Sequence, residues 1–440
     1  MTKNLEIINH LNKDYTACMV SGVAVVVRKI INSIGNIDFE MMAHGEFIKM
    51  MRNKPKIRIN VGSDESPKYK WLNPAQFWLD HPDRREVSGG LTFNPSTTRE
   101  IVKNRYCTQY NTYQGLTLKP SKQRDNALIL PYLNHVSDII CNGDQDLYDY
   151  VMNWCAHIFQ KPLEKPQVAL VLKGGQGTGK GTFVNPIGAL IGAHYHHAKS
   201  TMDLTGRFNR CLENKMLVFA DEAFAGSKAE TDRMKTLITE STNNIERKGI
   251  DKITVNCYMR IIMASNRDAV VRIEKDERRY VFLEVSEKNK QCSKYYKPLS
   301  DLIVRDDFKQ ALLRHFLEMD LSNFDPRQRP KNKALDEQKL DALEPMERWF
   351  LHYMRTKPVL PVNATVAELS SEFEEYLDNK KISFYGDIPR AVGKFCSCLG
   401  FNKKRITKAD GNRDWIREIG GLDKAFKAFQ DYLGFEFELF

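Results

Sequence analysis

The stretch LKGGQGTGKGTFV, Leu172 to Val184, restricts the fold more than any other part of the chain. It follows the apolar run QVALVLK and precedes a helical pattern opening at about Gly179. Gly174, Gly179 and Lys180 satisfy GxxxxGK in the order strand, glycine loop, helix, the context that gives this pattern meaning. In such a loop the backbone N–H groups from Gly174, Gly175, Gly177, Thr178 and Gly179 to the start of the helix converge on phosphate oxygens, and Lys180 neutralises the terminal phosphates. A glycine-rich turn with a stray lysine is the weaker reading. Gly181 departs from the pattern, because such loops carry Ser or Thr there. One residue along a helix is about 100° of rotation and about 1.5 Å of rise, so Thr182 does not simply supply the missing hydroxyl. Thr182 is expected to face the α- or β-phosphate, leaving Mg²⁺ to depend on Asp221, the phosphates and water, with Thr182 the nearest protein hydroxyl.

Downstream, apolar runs alternate with helical patterns: KMLVFADE, a helix near Thr231 to Thr239, and YMRIIMASN. Strands apolar throughout and alternating with helices predict a parallel sheet covered on both faces, an α/β core over residues 166–286. Asp221 ends one run and is followed by Glu222, so the first carboxylate can hold a nucleotide-bound Mg²⁺ and the second can orient and deprotonate a water. Asn266 ends the next run and suits contact with a γ-phosphate if its strand lies between the other two. Arg278 and Arg279, in DERRY, suit stabilisation of transition-state charge at a neighbouring subunit's site. Between these strands, ITESTNNIERKGIDKITVN reads as a hairpin whose tip carries Arg247 and Lys248, suited to a nucleic-acid backbone.

A chain of 440 residues with 42% hydrophobic and 28% charged residues is an ordinary globular protein of two or three domains. Residues 1–140 read as an α+β accessory region, 141–165 as a helical connector, 287–343 as a helical segment with a polar linker, and 344–440 as a basic, winged-helix-like domain of three helices and a hairpin. The net charge is +10, and basic residues concentrate between Lys380 and Arg417, where Lys403, Lys404 and Arg405 are candidates for DNA contact. Nine scattered cysteines, an odd number, argue against a disulfide framework and for a reducing, intracellular setting. His194, His196 and His197 lack a nearby acidic or sulfur ligand and read as core or surface histidines. No apolar run approaches the roughly 18 residues of a membrane span.

The series of glycine loop, LVFADE, basic hairpin, MASN and DERRY resembles a superfamily 3 helicase. FWLDHPDRR, LTFNP, YNTYQG, NGDQDLYDYVMNWCAHIFQKP and LTGRFN are similar to segments of the helicase parts of phage and plasmid primase-helicases, in particular phage primase-polymerases of the deep-sea-vent kind. The resemblance implies a P-loop, AAA+-like ATPase core in a ring, usually a hexamer, that draws single-stranded DNA through a central channel and opens forked DNA in replication. By position it implies that Lys180 and Thr182 bind phosphates, Asp221 binds Mg²⁺, Glu222 activates water and Asn266 senses the γ-phosphate. Arg278 or Arg279 would be the trans-acting finger and Lys248 the channel contact. No upstream catalytic primase domain is evident, so the chain reads as a helicase module of a longer protein or a stand-alone relative. Two other readings are a nucleoside monophosphate kinase, whose loop also reads GKGT, and a non-translocating initiator that uses ATP as a switch.

Overall fold

The structure is a computed structural model that describes residues 2–20, 22–31, 37–63, 66–221, 227–247, 250–266, 278–330, 339–340, 343–357, 359–407 and 413–439. Its centre is a five-stranded, wholly parallel sheet. In chain order the strands are β1 (Ala169–Lys173), β2 (Tyr195–Ala198), β3 (Leu217–Asp221), β4 (Arg260–Ser265) and β5 (Tyr280–Glu284). They lie side by side in the order β2-β3-β4-β1-β5. The uniformly apolar strand sequences follow from burial on both faces. Leu170, Leu172, Phe219, Ile262 and Leu283 point into one core, and Val171, Val218, Ala220, Met263 and Phe282 into another, as the period of two along a strand requires.

The first core also takes in the helix Asn126–His135, the π-helical turn Val136–Ile140, the helix Gln145–Gln160 and the helix Asp306–Glu318. Asp144 opens Gln145–Gln160 by accepting the N–H of Leu147 at 3.0 Å, as its place before an apolar periodic run predicts. The far end of that helix is capped by a buried guanidinium. Arg260, 1% exposed, donates to the carbonyls of His157, Lys161 and Glu164 at 3.2, 2.8 and 2.7 Å and to that of Tyr258 at 2.9 Å. Burial lowers its pKa to about 9, so it remains a cation at neutral pH and answers the carbonyl end of the helix dipole.

In the N-terminal region the residue pattern suggests one strand from Cys18 to Lys29 and a helix around Phe39 to Met51, and the structure corrects both. The run Cys18 to Lys29 is not one strand but two, Tyr15–Val20 and Val23–Ile31, paired antiparallel around a turn in which Gly22 takes a left-handed φ of 80°. The pattern from Phe39 to Met51 is helical only in its second half: Ile37–Ala43 is the third strand of this sheet, and the helix is His44–Met50. His194 ties this region to the parallel sheet. Its Nδ1–H donates to the Asn214 carbonyl at 2.8 Å, and its Nε2 accepts the Gln114 N–H at 2.9 Å.

The C-terminal region has its own core around Trp349, Phe350, Phe373, Phe395 and Phe429. Helices Pro345–Thr356, Val366–Lys380 and Ile388–Cys398 precede the antiparallel ribbon Lys403–Thr407 and Arg413–Glu418. A short strand, Asn363–Thr365, joins the ribbon's edge, and a further helix, Leu422–Leu433, completes the core; neither was evident in the sequence. All nine cysteines are free thiols.

Arg260→Ala leaves four carbonyls without their donor, so a loss of about 3 kcal/mol is expected in urea-unfolding stability. Burial, the main cause, pushes the pKa of His194 down to about 4 from 6.5. Its contribution is therefore fully present above about pH 6.5 and is lost as pH falls towards 4. The unfolding midpoint should drop between pH 7 and pH 4.5, and less steeply in His194→Gln; identical slopes would remove His194 as a cause.

Candidate nucleotide site

The glycine loop, residues 174–179, leaves the carboxyl end of β1 and enters the helix Lys180–Ile191. Its start is held by the neighbouring strands: the Gly174 N–H donates to the Ser265 carbonyl of β4 at 3.0 Å, and the Val285 N–H donates to Lys173 at 2.7 Å. Gly179 is the helix N-cap in the left-handed region, φ 85°. A Cβ there would stand 2.5 Å from His135 Cε1 and 2.7 Å from Tyr296 Cε1, so both backbone and packing demand glycine. Gly181 is different. A Cβ at 181 would meet only Asn185 Nδ2, at 3.6 Å, so the fold has room for a side chain where the sequence has none.

Lys180 folds back over the loop, its Nζ donating to the carbonyls of Gly174 at 2.6 Å and Gly175 at 2.8 Å. The Thr178 side chain is buried, and its hydroxyl donates to the Gly175 carbonyl at 2.9 Å. Thr178 therefore offers a ligand its backbone rather than its hydroxyl. Thr182 is half-buried on the first helical turn.

Across the sheet, Asp221 pairs in register with Ala264, and Ala264 with Leu172. This lateral row puts Asp221 two strands, roughly 10 Å, from the root of the loop, with Asn266 at the exposed end of the strand between them. The order of strands expected for Asn266 is the one observed. Glu222 lies outside the described residues. Arg278 and Arg279 precede β5, where the Arg279 carbonyl accepts the N–H of Ala169, at the amino ends of β5 and β1. They stand a strand's length from the glycine loop of their own chain and are not brought into its site.

The hairpin between β3 and β4 is formed by Thr242–Arg247 and Ile250–Asn256. Arg247 ends its first strand, and Lys248 at the tip lies outside the described residues. Asn209, fully buried in the LTGRFN segment, pins the hairpin. Its Oδ1 accepts the Glu246 N–H at 2.9 Å, and its Nδ2 donates to the Asn244 carbonyl at 2.9 Å. Lys403 and Arg405, on the C-terminal ribbon, lie over the half-exposed ring of Trp415 at 4.3 and 5.7 Å, and Lys404 pairs with Glu418 at 3.2 Å.

Three groups of the candidate site were given no role in the sequence reading. His135, buried, donates from Nε2 to the Gly179 carbonyl at 3.1 Å, while its Nδ1 accepts from the Tyr295 hydroxyl at 3.1 Å. Burial lowers its pKa, which keeps the ring neutral and this tautomer in place. The π-helical turn directly after it, a geometry frequent at functional sites, is the one local sign of a special role. Glu287 accepts from Lys290 at 2.8 Å beside Gly175; that hydrogen bond, helped by the Gly175 N–H and the charge of Lys180, holds its pKa below the usual range. His197 stands 3.8 Å from the Asp221 carboxylate, with its ring 5.0 Å from Phe219. Only its membership of the histidine cluster pointed to it.

Residues 172–279 match a family of unknown function, DUF5906. Over 163 residues the sequence is 30% identical to the DNA primase-polymerase of Nitratiruptor phage NrS-1. Over that stretch the chain is homologous to the phage primase-polymerase. The matched part is 34% of this chain and 23% of the relative, so it spans under a quarter of the phage protein. Solved apo structures of the NrS-1 C-terminal region share the fold. One has a TM-score of 0.62 at 17% identity, covering 96% of this chain and 100% of that one. A second, the A form, has a TM-score of 0.64 at 16% identity, covering 93% and 98%. Among the described residues no helix is long and apolar enough to cross a membrane.

Gly179 and Gly181, on either side of Lys180, separate the two demands on the loop. Gly179→Ala should lower stability by about 2 kcal/mol, from strain and contact with His135. Gly181→Ala, inside the helix and free of contacts, should leave stability unchanged or raise it by about 0.5–1 kcal/mol. Equal thermal shifts in the two variants would contradict this geometry.

Proposed function

We propose that this chain is a P-loop, AAA+-like ATPase that drives movement along single-stranded DNA, a helicase module of phage DNA replication. The observation that carries the reading is the row across β1, β4 and β3: Lys180 in the glycine loop, Asn266 and Asp221 at the same carboxyl edge of one parallel sheet. The homology to a phage primase-polymerase supports the biological setting.

The residues fit ATP and Mg²⁺. Backbone N–H groups at the start of the helix, the left-handed cap at Gly179 and the Lys180 ammonium form an anion cradle. Bound Mg²⁺ would supply charge neutralisation beside the phosphates, and Asp221 and Thr182 are the residues that would hold it. Lys180 would leave its two carbonyls for phosphate oxygens, Glu222 would take a proton from the attacking water, and Asn266 would contact the γ-phosphate. Arg278 or Arg279, remote from its own loop, would serve a neighbouring subunit's site in a ring, usually a hexamer. Arg247 and Lys248 on the pinned hairpin, with Lys403, Lys404 and Arg405 on a winged-helix-like domain, would hold DNA phosphates. A primase-polymerase domain, in the same or another chain, would be the natural partner.

Lys180→Ala is expected to reduce DNA-stimulated ATP hydrolysis by about 100-fold or more, and Glu222→Gln to stop turnover while ATP still binds. Normal hydrolysis in either would defeat the proposal, and phosphoryl transfer to AMP without DNA stimulation would favour a kinase. Fork unwinding should fail in Lys248→Ala with ATP binding intact. ATP hydrolysis stimulated by DNA but without strand separation in the unaltered protein would favour a switch over a motor. Gly181→Ser, for which the fold has room, should lower the Mg²⁺ concentration needed for half-maximal hydrolysis.

A further inference from the structure

The chain has five tryptophans; Trp78, Trp154 and Trp349 are buried, whereas Trp71 and Trp415 stand 60% and 47% exposed. Each exposed ring lies on a strand of a small antiparallel sheet among basic residues. Trp415 belongs to the C-terminal ribbon of Lys403 and Arg405. Trp71 lies in the N-terminal region, on a ribbon formed by Ile57–Asn60 and Tyr69–Leu72.

In this ribbon Ile57 faces Leu72, Arg58 faces Trp71, Ile59 faces Lys70 and Asn60 faces Tyr69. Side chains alternate between faces, so Ile57, Ile59 and Leu72 pack on the N-terminal core while Arg58, Asn60, Tyr69 and Trp71 share the outer face. Tyr69 is 52% exposed, and the Arg58 guanidinium lies 3.6 Å above its ring. The outer face is preorganised. Asn60 Oδ1 accepts the N–H groups of Gly62 and Lys68, both at 3.0 Å, and the Val61 N–H donates to Lys68 at 2.7 Å. Arg52, Lys54, Lys56, Arg58, Lys68 and Lys70 are all exposed, and in sequence only Asp64 and Glu65 oppose them between Arg52 and Leu72.

Two large rings held in water on a braced ribbon call for a flat apolar partner, and the surrounding cations call for an anionic one. Bases strung on a phosphate backbone satisfy both at once. We propose that the outer face of this ribbon binds single-stranded nucleic acid. One base stacks on Trp71 and another on the Tyr69–Arg58 pair, and Arg58 with the exposed Lys56, which the period of two puts on the same face, meets the intervening phosphates. The contact uses none of the glycine-loop residues, so it is tested without ATP and stands or falls separately from the ATPase reading.

The test is fluorescence anisotropy of labelled oligo-dT with the full chain, nucleotide-free, with far-UV circular dichroism and light scattering on every variant. Trp71→Ala should weaken binding about tenfold, Tyr69→Ala about fivefold, and Trp71→Phe little, since a ring remains. Lys56→Gln with Arg58→Gln should reduce the slope of log affinity against log salt by about 1.4. Because the other three tryptophans are buried, quenching by oligo-dT should persist in Trp415→Phe and vanish when Trp71→Phe is added. Unaltered affinity in Trp71→Ala at unaltered mass would overturn the proposal. So would a Trp71→Ala protein that loses DNA binding only by changing its assembly size, which would make a second copy of the chain the occupant of this face.

Discussion

The hydrogen bond from the Gly174 N–H to the Ser265 carbonyl links the two parts of the molecule on which the candidate site depends. It extends the pairing of β1 with β4 by one residue past the strand and so fixes where the glycine loop begins. With β4 also paired to β3, Lys180, Asn266 and Asp221 derive their spacing from one hydrogen-bonded lattice, not from loops that would need separate positioning. The helices on both faces are the means of keeping that lattice dry. Groups set on such a base are preorganised, since backbone dipoles and strand ends do not reorient when charge arrives.

Much of the sheet was legible because its strands announce themselves twice, by continuous apolar residues and by polar punctuation at Lys173, Asp221 and Ser265. β2 was not, because Tyr195–Ala198 is a four-residue edge strand rich in histidine, with no apolar run to mark it. The glycine loop, Asp221 and Asn266 could be read because each motif sits on an element adjacent in sequence. His135, Tyr295 and Tyr296 could not, since they reach Gly179 through tertiary packing from far along the chain. The N-terminal errors have a similar cause. Ile37–Ala43 carries Phe39, Met41 and Met42 at spacings that suit a helix as well as a strand, and only pairing with Val25–Ile31 decides between them.

Basic residues beside exposed aromatics recur at opposite ends of the chain, at Arg58 and Tyr69 and at Lys403 and Trp415. Both pairs sit on short antiparallel ribbons whose inner faces are committed to a core, which leaves the outer face free for recognition. The hairpin Thr242–Asn256 follows the same plan, braced from below by Asn209. These small antiparallel elements contrast with the parallel sheet, whose carboxyl edge carries Lys180, Asp221 and Asn266.

Arg260 gives β4 a further property. The strand that ends in Ser265 and Asn266 begins with a guanidinium bonded to three carbonyls around the end of one helix. A register slip of one residue would turn every side chain of β4 to the opposite face and at the same time pull that cation out of its socket. The strand is thus pegged at both ends, to the end of the helix Gln145–Gln160 by Arg260 and to the glycine loop by Ser265, so the position of Asn266 along the sheet is fixed from either side.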